Sequence, residues 1–263
     1  MTGAQGAVGR AALVTGGSGG IGGAIAARLA EDGFSVVIGY SGNADPAAEV
    51  VAAIEAKGGS AVAVPGDVAD PEDMQALFQT AADRFGGVDV IVNAAGIMPL
   101  APIAEMDLDT FDRIQRINVR GTFVVCQLAA RLVRDGGTII TFSSSQTKIQ
   151  SPTYGAYIAS KGAVEGMTLV LARELRGRDV TVNALAPGPT ATPLFFAGKT
   201  QERIDQIASL APAESARNPG GRRRRRVLPG RTGRPVDQRT GHLRQWRSGL
   251  APRLQGQVRF PPK

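Results

Sequence analysis

Apolar residues fall in two alternating patterns along residues 1–212. Near-continuous runs occur at Ala11–Thr15, Phe34–Gly39, Ala61–Pro65, Val88–Asn93, Thr138–Phe142 and Val180–Ala184. Between them, stretches such as Ala24–Ala30, Pro46–Lys57 and Pro71–Phe85 carry apolar residues three and four apart, with polar residues between. The first pattern predicts strands buried on both faces; the second predicts amphipathic helices. Their alternation predicts a parallel sheet covered by helices on each side, a doubly wound α/β fold. About 210 residues are enough to bury one full core, so a single domain is expected.

The first run ends in a glycine-rich turn, Gly16, Gly17, Ser18, Gly19, Gly20, Ile21 and Gly22, and a helical pattern follows at once. Strand, glycine turn and helix in that order make a phosphate cradle of Rossmann type. The glycines let the backbone approach a pyrophosphate, and the helix N-terminus supplies N–H donors and a favourable dipole. Glycine-rich turns also occur without any ligand; its place in the first strand–helix unit is what favours a nucleotide here.

Tyr157 and Lys161 stand four residues apart, which on a helix puts both on one face, one turn apart. An ammonium near a phenol favours the phenolate, so the pair is expected to lower the Tyr157 pKa towards the range of a general acid or base. Ser144, at the end of the Thr138–Phe142 run, is placed to hold a substrate oxygen beside that phenol. The competing reading is an amphipathic helix with an ordinary exposed lysine.

Taken together and in order, Thr15, Gly16, Gly20, Gly22, Asn93, Gly96, Asn118, Ser144, Tyr157, Lys161, Pro187 and Gly188 resemble the short-chain dehydrogenase/reductase family. Within it the resemblance is to 3-oxoacyl-carrier-protein reductase-like ketoreductases, and it covers roughly residues 8–212. The resemblance implies that Tyr157 protonates a carbonyl during reduction or deprotonates an alcohol during oxidation. It implies that Lys161 binds the nicotinamide ribose, that Ser144 orients the carbonyl oxygen, and that Asn118 holds a water in a proton relay. With Ser143 and Ser145 adjacent, the serine assignment is open by one position. Gly16, Ser18, Gly20, Ile21 and Gly22 match the pyrophosphate loop. Asp67 and Val68 match an adenine-edge contact, with Asp67 as a cap of the Pro71 helix the competing reading. Asn93 and Gly96 flank the cofactor, Asn93 chiefly fixing its strand; Pro187, Gly188 and Thr192 border the nicotinamide, Thr192 against its carboxamide.

The choice of nicotinamide cofactor turns on the end of the second strand. An acidic residue there would bind the adenosine ribose and repel a 2′-phosphate. This chain has Tyr40, Ser41, Gly42 and Asn43, with no carboxylate before Asp45. NADP(H) is therefore expected over NAD(H), with Ser41 and Asn43 as neutral donors to the phosphate. Ile97–Leu100 and Pro193–Leu210 should border the substrate pocket, and Met98, Leu194, Phe195 and Phe196 make it apolar. Such a mouth suits ketones or acyl thioesters, so a small-molecule or acyl carbonyl is the expected partner.

Composition narrows the chemistry. His242 is the only histidine and Cys126 the only cysteine, so residues 1–212 offer no histidine triad, no zinc site and no disulfide framework. Cys126 sits in the apolar stretch 122–132 and reads as a small core residue. No apolar run approaches the roughly eighteen residues of a membrane span, and no secretion signal is visible; the expectation is a soluble, cytoplasmic chain.

Charge divides the chain. Residues 213–263 hold 14 basic and 2 acidic residues, against 16 and 21 in the rest. This Arg/Gly/Pro-rich tail, with Arg222 to Arg226 in one run, reads as a disordered basic arm able to meet nucleic acid. Only Trp246 and Phe260 supply aromatic faces, which leaves stacking sparse and nucleic acid disfavoured as a partner. The preferred reading is a one-base frameshift between Ala211 and Asn218. In a GC-rich gene, arginine codons shifted by one base encode Asp, Val, Ala or Gly, and the shifted frame reads as a capped helix, a turn and a strand. An intact relative is expected to close its sheet and form a homo-oligomer through those elements. Without them an unpaired sheet edge and impaired activity are expected. A nucleotide-binding protein without catalysis is the remaining alternative.

Overall fold

The computed structural model describes residues 9–209 together with Arg244 and Gln245. Strands and helices alternate from the start: β1 (Ala11–Thr15), α1 (Gly20–Glu31), β2 (Ser35–Tyr40), α2 (Asp45–Glu55), β3 (Ala61–Pro65), α3 (Pro71–Phe85) and β4 (Val88–Asn93). A 3₁₀ turn at Ile103–Glu105 leads into α4 (Leu108–Ile114), which runs through a π-helical turn (Gln115–Arg120) into α5 (Gly121–Leu132). Then come β5 (Val133–Phe142), α6 (Gln146–Ile149), α7 (Gly155–Glu174), β6 (Thr181–Ala186), α8 (Pro193–Phe196), α9 (Gln201–Ser209) and β7 (Arg244–Gln245).

All strands are parallel, in the order β3-β2-β1-β4-β5-β6-β7. Successive residues of a strand point to opposite faces, and the core divides accordingly. Leu13, Val37, Ile91, Ile139 and Val182 pack with residues of α3, α5 and α7 on one face. Val14, Val36, Ile38 and Val92 pack with residues of α1 and α2 on the other. Burial on both faces explains why the strands read as continuous apolar runs rather than alternating ones. The chain order reverses between β1 and β4, and a doubly wound sheet opens a crevice outside the strand ends at that point.

Asp70, not Asp67, caps the Pro71 helix: its side chain accepts from the N–H groups of Glu72 and Asp73. The helix ends at Gly86, whose φ of 75° lets the next N–H, that of Gly87, reach back to Ala81 O, a left-handed stop that favours glycine.

The expectation that no last strand exists is corrected at two residues. Arg244 and Gln245 pair in parallel with Leu185 and Ala186 of β6. Among the described residues, the remainder of that edge has no strand beside it. The boundary after residue 212, the arginine run and the shifted-frame reading of the tail lie outside the described residues. No helix among those described is long and apolar enough to cross a membrane.

Candidate active site

Outside the carboxyl ends of β1, β4, β5 and β6 lies a cavity of about 450 Å³. Its floor is the turn after β1. Gly16 has φ 63°, and a Cβ there would stand 2.8 Å from the backbone of Ala95. A Cβ on Gly22 would stand 2.2 Å from Gly16 O. Gly16, Ser18, Gly20, Ile21 and Gly22 all line the cavity, as the sequence pattern predicts. The first turn of α1 has no side-chain cap and no acidic residue, so its N–H donors are not answered by side chains. That is the arrangement a pyrophosphate requires, and these residues fit the phosphates of a dinucleotide.

The chemistry-bearing side chains rise from the opposite wall. Tyr157 and Lys161 lie on α7, Ser144 just beyond β5, and all three line the cavity while being largely buried. Ser144 lies beside Tyr157 and favours the ionised form of its hydroxyl. The register among the three serines follows from the neighbours. Ser143 Oγ donates to Glu165 Oε1 at 2.6 Å, and Ser145 is held through its N–H by Pro187 O at 3.0 Å. Ser144 is the serine that meets the phenol.

The expected depression of the Tyr157 pKa is reversed. Burial pushes the phenol up to about 12; Ser144 opposes this, and Tyr154 adds to it. Lys161 Nζ lies 5.7 Å from the Tyr157 ring centroid and donates to Phe142 O at 2.8 Å, so the ammonium is tethered to the strand end. Burial brings Lys161 down to about 8 from its ordinary 10.5.

That shift sets a pH dependence of stability. Between about 8 and 10.5 the unfolded chain holds the Lys161 proton and the folded one does not. The unfolded state therefore binds more protons, and stability rises with pH across that window. Cys126, whose buried thiol is pushed up from 9.0 to about 12, works in the opposite sense above pH 9, and Tyr157 does so above its ordinary value of 10.0. Urea unfolding from pH 8 to pH 9 should thus show stability climbing in the wild type, with the climb diminished in Lys161→Met.

Asn118 sits in the π-helical turn and is fully buried. Its side chain accepts from Ile97 N–H and donates to Ile97 O, both at 2.9 Å, and donates to Ser160 Oγ at 3.0 Å. The amide thereby clamps the strand end beside Gly96, where a Cβ would come within 3.2 Å of Asn118 Oδ1 and 3.5 Å of Lys161 Nζ. Asn93 is buried in a chain of polar contacts, with Thr15 Oγ1 at 2.6 Å and Thr122 Oγ1 at 2.9 Å; Thr122 in turn contacts Asn118 O at 2.7 Å. It ties its strand to β1 and α5 and, against the expectation that it flanks the cofactor, does not line the cavity.

The adenosine end is less enclosed. Asp67 is half-buried, and burial alone would raise its pKa. The Ala69 N–H and the Arg116 guanidinium, 2.6 Å away, hold it below the usual value. Val68 turns its side chain into the core, where a Cβ on Gly121 would collide with it at 2.6 Å. Ser41 and Asn43 are exposed beyond β2, and Asn43 Oδ1 accepts from Asp45 N–H.

On the other side, Pro187, Gly188 and Thr192 line the cavity, and Thr192 also caps α8 by accepting from Phe195 N–H. Met98, Leu194 and Phe195 give the apolar mouth; Phe196 turns outward and does not contribute. Gln146, Tyr154 and Thr190 line the cavity without having been singled out in the sequence, and Ile207 lines it from within the expected Pro193–Leu210 border. Tyr154 stands edge-on to Tyr157 with centroids 6.4 Å apart; its position three residues earlier, a helical neighbour spacing, was the available signal. Cys126 is a buried core thiol pushed up to about 12 by burial.

Residues 10–203 match the family model described as short chain dehydrogenase. The "Short-chain type dehydrogenase/reductase" of Picea abies is 44% identical over 216 residues, covering 78% of this chain and 80% of that protein. The "NADPH-dependent aldehyde reductase-like protein, chloroplastic" of Arabidopsis thaliana is 42% identical over 218 residues, covering 78% and 81%. A solved short chain dehydrogenase from Burkholderia cenocepacia J2315, in complex with NADP, superimposes with a TM-score of 0.75 at 39% identity, covering 80% of this chain and 86% of that one.

Proposed function

We propose, from the premise that the chain belongs to the short-chain dehydrogenase/reductase family of NAD(P)-dependent oxidoreductases, that it interconverts a carbonyl compound and its alcohol with NADP(H). The observation that carries this reading is that Ser144, Tyr157 and Lys161 line one cavity together with the glycine turn.

NADP(H), when bound, supplies or accepts the hydride. The chain's own groups handle the oxygen and the proton. Ser144 Oγ holds the substrate oxygen beside the Tyr157 hydroxyl. Because burial keeps that phenol protonated at neutral pH, Tyr157 enters the reduction direction as a ready general acid. In oxidation the same hydroxyl must first lose its proton, a step that higher pH favours. Lys161, still mostly an ammonium at pH 7, stabilises the phenolate left after proton transfer. Asn118 holds the Ile97 backbone and, through it, the edge of the cavity next to Gly96.

Two observations favour the phosphorylated cofactor. No carboxylate lies between Tyr40 and Asn43 to bind ribose hydroxyls or repel a 2′-phosphate. The Arabidopsis thaliana relative and the solved Burkholderia cenocepacia neighbour carry NADPH and NADP in their names. The finer expectation of a 3-oxoacyl substrate rests on the sequence resemblance alone; the apolar mouth of Met98, Leu194 and Phe195 suits ketones and aldehydes equally.

Fluorescence titration of the full chain with NADPH and with NADH tests the cofactor assignment. NADPH should bind at least about tenfold more tightly, equivalent to about 1.4 kcal/mol. NADH binding tenfold more tightly would overturn it. Consumption of NADPH with a panel of ketones and aldehydes then tests the reaction.

A further inference from the structure

Glu165 lies eight residues after Tyr157 on α7, so Tyr157, Lys161 and Glu165 form one stripe two turns long. Each reaches a different part of the segment that follows β5. Lys161 donates to Phe142 O, and Tyr157 meets Ser144. Glu165 Oε1 accepts from Ser143 Oγ at 2.6 Å and from Thr147 Oγ1 at 2.9 Å. Thr147 Oγ1 also lies 2.9 Å from Ser144 O, so its single proton is shared between the carboxylate and the serine's own carbonyl.

Ser144 is therefore bracketed, one residue before and three residues after, by side chains tied to the same carboxylate oxygen. On its other side the segment is pinned by backbone bonds, Ser143 N–H to Leu185 O and Ser145 N–H to Pro187 O. Hydroxyl-to-carboxylate bonds are charge-assisted and stronger than neutral ones, which makes Glu165 a firm side-chain tether between α7 and this turn. We propose that Glu165 is a positioning residue: it sets the placement of the Ser144 hydroxyl relative to Tyr157 without itself touching substrate. The inference rests on the carbonyl reductase reading above.

In Glu165→Ala the turn loses its tether, and misplacing an orienting group by about 1 Å costs up to a hundredfold. The expected result is a kcat lowered by about ten- to a hundredfold, with the NADPH dissociation constant within about twofold of wild type, because the glycine turn is untouched. Glu165→Gln keeps an oxygen that accepts both hydroxyls, and should stay within about threefold of wild type. In a Ser144→Ala background, Glu165→Ala should cost little more, as expected of residues that act through one another. Hydrogen exchange gives a readout independent of catalysis. Amides of Ser145, Thr147 and Lys148 should exchange about tenfold faster in Glu165→Ala, and at the wild-type rate in Glu165→Gln. The double variant Ser143→Ala with Thr147→Ala removes the same bonds from the other side and carries the test should Glu165→Ala fail to fold. Unchanged exchange, or an equal fall of kcat in the Ser144→Ala background, would overturn the proposal. Wild-type chain that consumes no NADPH with any carbonyl would sink the reductase reading, while the exchange comparison would still decide whether Glu165 sets the turn.

Discussion

Replacing Tyr157 by Phe should lower kcat for carbonyl reduction by about 10²- to 10⁴-fold, the usual contribution of a positioned general acid. NADPH affinity should change little. The substitution deletes one oxygen and keeps the ring, so the edge-on packing against Tyr154 at 6.4 Å survives and the buried wall of the cavity stays filled. What disappears is the hydroxyl that meets Ser144. Ser144 remains as a hydrogen-bond donor, but a serine hydroxyl is too weak an acid to complete the transfer. Any residual rate should therefore be nearly independent of pH. The measurement is steady-state NADPH consumption with a reactive ketone or aldehyde, paired with fluorescence titration of the cofactor. A variant that keeps more than a tenth of wild-type kcat would show that the proton comes from another group.

The second large effect concerns a glycine. Gly22→Ala puts a methyl group where the nearest atom, Gly16 O, is 2.2 Å away and Gly16 C is 2.9 Å away. These are backbone atoms of the turn itself, so relief requires the first turn of α1 to swing away from the floor of the cavity. Overpacking of this kind costs typically 1–3 kcal/mol in stability. It also displaces the N–H donors meant for the pyrophosphate, and NADPH affinity should fall by about a hundredfold or more, equivalent to about 2.7 kcal/mol. Gly162→Ala is the control, since nothing lies within 4 Å of a Cβ there. Within a helix that exchange removes backbone freedom from the unfolded chain and should raise stability by about 0.5–1 kcal/mol. Urea unfolding and cofactor titration of the two variants should move in opposite directions in stability, and only Gly22→Ala should lose cofactor.

Much of this arrangement was legible in the sequence because it depends on short-range rules. β3, β4 and α3 have the bounds that their apolar spacing predicts. β5 does not: it begins at Val133 rather than Thr138. Arg134, Asp135 and two glycines hide that first part from any hydrophobic count, and the pairing with β4 is irregular between Val88 and Val90. The π-helical turn at Gln115–Arg120 left no trace in the apolar spacing, yet it carries Asn118.

The chemistry was legible by residue and less so by environment. Tyr157, Lys161 and Ser144 converge as their spacing and resemblance imply. The direction of the Tyr157 shift was missed because adjacency on a helix says nothing about where a long side chain ends. Lys161 finds its hydrogen-bond acceptor nineteen residues away, at Phe142 O. Asp67 and Asp70 show the same limit. Both stand near a helix start, and only the backbone between them decides that Asp70 caps while Asp67 meets Arg116.

The buried polar chain through Asn93 also has a direction. Thr15 donates its proton to Asn93 Oδ1, Asn93 Nδ2 donates to Thr122 Oγ1, and Thr122 donates onward to Asn118 O. A hydroxyl has a single proton, and that of Thr122 is committed to the backbone carbonyl at the π-helical turn. Thr122 can therefore only receive from residue 93. An aspartate there would have the same size and shape but would turn a second acceptor toward it, with no proton left between them. The line of protons runs one way, from the strand that opens the glycine turn to the helix beside the proposed acid. It distinguishes an amide from a carboxylate of the same outline, so Asn93→Asp would unsettle this protein at its centre while changing the outline of the side chain hardly at all.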